Sequence, residues 1–305
     1  APAAPINDFA AVKEALEEGI LDREEIEAKI IKILQYKYIA GLDDYRPIET
    51  KGLSERLNSP HAAWLAAKLN EEAITLLKNE GDIIPLKQLN KKRIAALSIG
   101  DGIGDEFQKI ACFSISRNST AAQVQNVYKK LEKYDVIICG VHTVRIPESL
   151  ALHQLAAKKE LIYAFFTLPY FCKEYKSSIL KAKAVIMAYE GTPLAQKYAA
   201  QAIFGGIAVK GKLPVSIPTL YTSGTGMFTE KTRLGYHEPE EVGASPERLD
   251  VIASIVEDGL EQKAFPGCQV LVAKDGMIIY DKSFGYFDYD KKQAVDENSI
   301  YDLAS

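Results

Sequence analysis

The chain has no run of about 18 consecutive apolar residues, the length a helix needs to cross a bilayer, so no membrane span is expected. It also lacks an excess of positive charge. Its 37 Lys and Arg face 41 Asp and Glu, a formal net charge of −4, which excludes the electrostatic footprint of a nucleic-acid binder. The lysine pairs at Lys91-Lys92, Lys129-Lys130 and Lys158-Lys159 stand near acids or at helix ends and read as solvated faces. Cysteine is sparse: Cys112, Cys139, Cys172 and Cys268 show no CxxC spacing. An even count permits disulfides without implying them, and Cys139, inside an apolar run, reads as a small core hydrophobe. His61, His153 and His237 show no HExxH or similar spacing, so no metal site is expected. The opening Ala-Pro-Ala-Ala-Pro has neither the basic nor the apolar region of a signal peptide, which leaves the compartment open.

No cofactor is expected either. Gly100, Gly102 and Gly104 follow an apolar run, but the spacing is GxGxG rather than GxGxxG. Asp101 and Asp105 would repel a pyrophosphate there, so a tight loop is the better reading. The single Trp64, flanked by Ala67 and Lys68 at helical spacing, reads as packing, as do most of the tyrosines.

What is present is an ordinary globular balance, 47% hydrophobic and 26% charged, over 305 residues. That length suits about two domains. Residues 8–40 read as helical: Asp22 is an N-cap candidate with Glu25 three residues on, Ile26, Ile30, Ile33 and Leu34 recur at helical spacing, and Gly41 is a C-cap candidate. Such an apolar stripe needs a partner surface. A second helix is predicted from Pro60 to Lys78. Then come four short apolar runs of the buried parallel-strand type, Arg93 to Ile99, Val136 to Val141, Leu161 to Thr167 and Ala184 to Ala188. Helical segments at Thr120 to Lys133, Glu148 to Lys158 and Thr192 to Phe204 are interleaved with them. This rhythm predicts the α/β class, a mainly parallel sheet covered by helices as an α/β/α sandwich. Leu213 to Ile217, framed by Pro214 and Pro218, reads as an edge or closing strand.

Residues 221–243 look like a linker. Beyond it, Ser245 caps a helix with Pro246 at its first position. Gln269 to Ala273 and Met277 to Ser283 then flank Lys274-Asp275-Gly276, a hairpin signal. One helix and two strands cannot bury a core of their own. The expected organisation is therefore 1–55, a helix of a larger body plus a connector; 56–220, the α/β sandwich; 221–243, a linker; and 244–305, the opening of an incomplete α+β domain.

Three separated stretches carry a family resemblance. Asn70 through Asn79 (NEEAITLLKN) with Ile84-Pro85-Leu86 resembles the start of the second domain of glycoside hydrolase family 3. Ala188 through Gly206 (AYEGTPLAQKYAAQAIFGG), followed by Gly211-Lys212-Leu213-Pro214, is similar to that domain's closing helix and strand. Ala11 through Leu42 resembles the last helix of the preceding (β/α)₈ barrel. Residues 244–305 resemble a different family, the β-lactamase and penicillin-binding type of serine hydrolase. The matching residues are Ser245-Pro246-Glu247-Arg248-Leu249-Asp250, Phe265-Pro266-Gly267-Cys268-Gln269-Val270, Lys274-Asp275-Gly276 and Phe284-Gly285.

The first resemblance implies a retaining β-glycosidase, most like a β-N-acetylglucosaminidase, acting on a carbohydrate that contains GlcNAc, peptidoglycan-derived, in a periplasmic or secreted parent. A barrel is about 250 residues, and only its last helix is expected here. The partners of this chain are then the missing N-terminal barrel and the missing remainder of the serine hydrolase domain. The nucleophile would lie on the barrel; in the N-acetylglucosaminidase branch the acid/base would lie there too. In the glucosidase branch a glutamate of the second domain supplies the acid, for which Glu148 and Glu190 are candidates by position, each also readable as a surface or capping carboxylate. His142 and Arg145 follow an apolar run at the edge where α/β sheets bind ligands. They are candidate contacts to a sugar or to the barrel, or plain loop residues. The second resemblance puts Ser305 at the nucleophile position of an SxxK motif whose lysine would fall beyond it, so no acylation is expected from this chain alone. A non-catalytic module that binds carbohydrate or protein is the alternative.

Overall fold

The computed structural model describes residues 5–100, 110–142 and 151–301, which divide into two compact units, 1–58 and 59–305. The first unit is helical: α1 (Pro5–Glu17), α2 (Arg23–Ile39), a short 3₁₀ turn at Leu42–Asp44 and α3 (Leu53–Leu57). Asp22 caps α2 by accepting the Glu24 amide at 3.0 Å, as its sequence position predicts. No described residue of α2 is buried, and the apolar stripe at Ile30, Ile33 and Leu34 is 49%, 56% and 56% exposed.

The second unit holds a six-stranded sheet in the order β1-β6-β5-β4-β2-β3. After α4 (Pro60–Ala73) its strands are β1 (Thr75–Asn79), β2 (Ile94–Ile99), β3 (Ala111–Ile115), β4 (Val136–Val141), β5 (Glu160–Phe165) and β6 (Ala184–Met187). The helices α5 (Ala121–Leu131), α6 (Leu152–Lys158), α7 (Lys176–Ile179) and α8 (Pro193–Phe204) alternate with them. All pairings are parallel except β1 with β6. Alternate strand residues enter two separate cores. Leu97, Ile137, Cys139, Leu161, Tyr163, Phe165 and Val185 pack with Val124 and Leu131 of α5 and Leu155 of α6. Ala96, Val136, Ile138, Ile162, Ala164 and Ile186 pack with Ala67 of α4 and Tyr198, Ala199 and Ile203 of α8. Strands buried on both faces have no polar side to show, which is why they read as continuous apolar runs.

Two local expectations are corrected. The helix expected to run to Lys78 stops at Ala73, and Thr75–Asn79 is strand β1 instead. The neighbours Leu76 and Leu77 are both buried but belong to opposite cores, which only an extended chain allows. The expected strand Leu213 to Ile217 is irregular. Pro214 and Pro218 offer no amide to a ladder, and the segment folds back on 221–225 through Leu213 N to Thr225 O and Ile217 N to Tyr221 O, both 2.8 Å. Leu213 and Ile217 nevertheless enter the core. The sequence reading does not name edge strand β3 (ACFSI), of which only Ile115 is buried.

Beyond the sandwich lies a three-stranded sheet, β7 (Gly235–Tyr236), β9 (Met277–Gly285) and β8 (Gly267–Lys274) in that order, with α9 (Pro246–Glu261). Ser245 caps α9 by accepting the Arg248 amide, with Pro246 at the first turn. The hairpin turns at Asp275 and Gly276, both at positive φ (53° and 77°), the pair a two-residue type I′ loop requires. Strand β8 has no buried residue and α9 buries only Val256.

None of the four cysteines is joined in a disulfide. Burial pushes Cys139 far above the usual thiol range and Cys172 up to about 12. A native chain treated with a thiol-reactive disulfide dye is expected to titrate the exposed Cys112, while Cys139 and Cys172 react only after denaturation. Fast reaction of more than two thiols in the folded state would contradict the packing described.

Candidate functional site

In a parallel sheet every strand delivers its next residue to the same edge, and there the helices have not yet begun. Here that edge collects His142 after β4, Phe166 after β5 and Tyr189-Glu190-Gly191 after β6. The His142 amide continues the ladder by donating to Ile99 O at 2.9 Å, and the Phe166 amide donates to Val141 O at 2.9 Å. These bonds hold both rings at the edge, where they stack with centroids 4.7 Å apart and planes 13° from parallel. A Cβ placed on Gly191 would stand 3.7 Å from His142 Nδ1, and one on Gly140 3.2 Å from its Nε2. The imidazole therefore sits over two glycines with no side chain between.

Tyr189 has φ 68°, a left-handed conformation that costs a bulky residue about 1–3 kcal/mol and recurs at functional sites. Its hydroxyl shares a 2.8 Å hydrogen bond with Thr75 Oγ1, which ties the turn after β6 to the start of β1. Burial raises its phenol above the ordinary range. Glu190 is exposed, and its carboxylate accepts from the Thr192 hydroxyl at 3.0 Å. Thr192 in turn caps α8 by accepting the Ala195 amide. Glu190 thus stands in the favourable field of the α8 N-terminus, a geometry that serves a helix cap and leaves the carboxylate open to solvent.

Of the residues singled out in the sequence, His142 and Glu190 come to this edge together. Arg145, Glu148 and Ser305 lie outside the described residues, as does the loop of Gly102 and Gly104. Beneath His142 a cavity of about 10 Å³ is lined by Ser98, Gly140, Phe166 and Gln196. That is room for one water and not for a sugar ring. Among the described residues one group brings three potential metal ligands together, Glu71, His237 and Glu241, away from this edge.

Comparison with known proteins divides along the chain. Residues 252–305 match the Beta-lactamase family model. Over 54 residues the chain is 35% identical to Protein flp of Staphylococcus aureus, a match spanning 18% of this chain and 11% of that protein. Over 80 residues it is 25% identical to Probable beta-glucosidase C of Aspergillus oryzae, spanning 26% of this chain and 12% of that protein. Among solved structures, beta-glucoside phosphorylase BglX bound to 2FGlc is similar with a TM-score of 0.50 at 20% identity, over 70% of this chain and 42% of that one. At this identity the likeness is one of fold. A glycoside hydrolase family 3 beta-N-acetylglucosaminidase from Paenibacillus sp. str. FPU-7 aligns over the same shares with a TM-score of 0.48 and 20% identity. This chain spans less than half the length of each of these proteins.

Proposed function

We propose that this chain is part of a glycoside hydrolase of the retaining β-N-acetylhexosaminidase or β-glucosidase type, acting on a GlcNAc-containing, peptidoglycan-derived glycan, and that alone it is inactive. The observation that carries the reading is the α/β/α sandwich with its β1-β6-β5-β4-β2-β3 sheet, a fold shared with beta-glucoside phosphorylase BglX. The beta-lactamase match that follows it supports a fused serine hydrolase domain, with Ser305 in the nucleophile position. The apolar face of α2, left exposed, supports a place for that helix on the outside of a preceding barrel.

Retaining chemistry needs two carboxyl groups about 5–5.5 Å apart on either side of the glycosidic bond. At the carboxyl edge of the sheet Glu190 is the carboxylate among the described residues, and its neighbour there is an imidazole. A nucleophile from the barrel would complete the pair. In this reading Glu190 and His142, with Arg145 and Glu148 from the following loop, contact the sugar or position the barrel loop that does, and the strained Tyr189 turn holds Glu190 in place.

The test is hydrolysis of a chromogenic N-acetyl-β-glucosaminide and a β-glucoside by this chain and by a version extended upstream through a barrel. Cleavage by the extended protein alone, with preference for the N-acetyl sugar, is the expected result. Turnover of either substrate by these 305 residues would place the nucleophile within them and end the proposal.

A further inference from the structure

Residues 235–242 lie against the sandwich through one buried polar cluster. The His237 amide donates to Ile278 O at 3.0 Å, and its side chain, 2% exposed, faces two glutamates. Nδ1 stands 3.3 Å from each carboxylate oxygen of Glu241 and 3.6 Å from Oε2 of Glu71, the latter on α4. The glutamate side chains are 6% and 19% exposed. One ligand atom from each residue falls within a 4.8 Å span.

Hydrogen bonding explains this arrangement poorly. A single Nδ1–H has one proton for three oxygens, and all three distances exceed the usual 2.7–3.2 Å. Nε2 is buried without a hydrogen-bond partner. Two carboxylates share this largely covered site. Among the described residues no lysine or arginine pairs with either, and nearby Lys197 is engaged with Glu238 at 3.3 Å.

The distances suit a cation instead. Ligands at 2.0–2.2 Å around a tetrahedral ion are separated by roughly 3.3–3.6 Å, the spacing of Nδ1 from Glu241 and Glu71, and the ligand atoms of all three residues lie within 4.8 Å of one another. Gln201 Oε1 and His237 Nε2 lie 2.9 and 2.8 Å from the point where a side chain on Gly235 would begin. The Gln201 oxygen accepts the Tyr236 amide at 2.6 Å, which pins the residue before His237 to α8.

We propose that Glu71, His237 and Glu241 form a zinc site that clips residues 235–242 onto helix α4. One nitrogen and two oxygen donors suit Zn²⁺, with Co²⁺ as a spectroscopic substitute, and a fourth position remains for water. The site is separate from the sheet edge and does not depend on the glycosidase reading.

The experiment uses the full chain with its thiols alkylated and its metals stripped by chelator, titrated calorimetrically with Zn²⁺. One equivalent should bind and raise the thermal midpoint. Glu71→Gln and His237→Asn should weaken binding at least about tenfold, and His153→Gln should leave it unchanged. The Co²⁺ form of the unsubstituted chain should show the intense visible absorption of tetrahedral coordination, a readout independent of whether the variants fold. Absence of binding, a six-coordinate Co²⁺ spectrum, or undiminished affinity in both Glu71→Gln and His237→Asn would overturn the site.

Discussion

Phe165→Ala is expected to lower the stability of the sandwich by about 3–5 kcal/mol, read as a fall in the urea midpoint at unchanged slope. Phe165 ends the central strand β5 and is fully buried. Its ring stacks on Tyr163 at 5.2 Å and meets the edge of Tyr175 at 5.5 Å. Tyr163 is itself anchored by a 2.7 Å hydrogen bond to Ser178 Oγ. The three rings, from β5 and the segment that follows it, pack against one another in one core, so truncating Phe165 leaves a cavity that neither partner can fill without giving up its own contacts. The expected loss is a large fraction of the 5–15 kcal/mol typical of a domain. Leu180→Ala, at a side chain 63% exposed, should change stability by no more than about 0.5 kcal/mol. A Phe165→Ala loss below about 1 kcal/mol would mean that this core repacks freely and that β5 is not its centre.

The second large effect is expected at Gly235→Ala, and it is local. A Cβ there would stand 2.2 Å from the Gly206 carbonyl oxygen, a backbone atom just beyond α8, and 2.8 Å from His237 Nε2. The carbonyl cannot turn aside as a side chain would, so strand β7 must move. Overpacking of this kind costs about 1–3 kcal/mol. Hydrogen exchange at the Tyr236 and His237 amides is the readout, because these donate to Gln201 Oε1 and Ile278 O and report the docking of this segment. Their protection should fall roughly 10- to 100-fold while amides of β4 and β5 keep theirs. Gly191→Ala, whose Cβ meets nothing closer than 3.7 Å, should leave both sets unchanged. Equal loss of protection throughout would show that β7 and the sandwich open as one unit.

Much of the fold was legible because the signals were local or periodic. Val136–Val141 is continuous in apolar character because it is buried on both faces, and its bounds match the prediction from sequence. Asp22, Thr192 and Ser245 announce helix starts because a capping side chain bonds an amide two or three residues away. Asp275-Gly276 marks its hairpin because both residues tolerate positive φ. The misses have the opposite character. Thr75–Asn79 carries the composition of the helix before it, and only its antiparallel place beside β6 makes it a strand. Ala111–Ile115 is a half-covered edge, short and with only Ile115 buried, and only its parallel place beside β2 makes it part of the sheet.

The candidate edge was legible in part. His142 and Glu190 follow strand-like runs, and in a parallel sheet that places them on one side. What no spacing revealed is that the His142 ring lies on Phe166 and above Gly191, or that Tyr189 is held at positive φ. The cluster at His237 shows the limit most clearly, for the sequence offered no ligand spacing and Glu71 belongs to a distant helix.

By itself the sequence determined the α/β class, the strand and helix rhythm and the caps, all set by contacts within a few residues or by burial that a strand carries in its own composition. Only the tertiary structure decided strand order, the two sheet edges and the meeting of Glu71 with His237 and Glu241. These depend on which distant segments the chain brings together as its two cores close, and no local pattern encodes that.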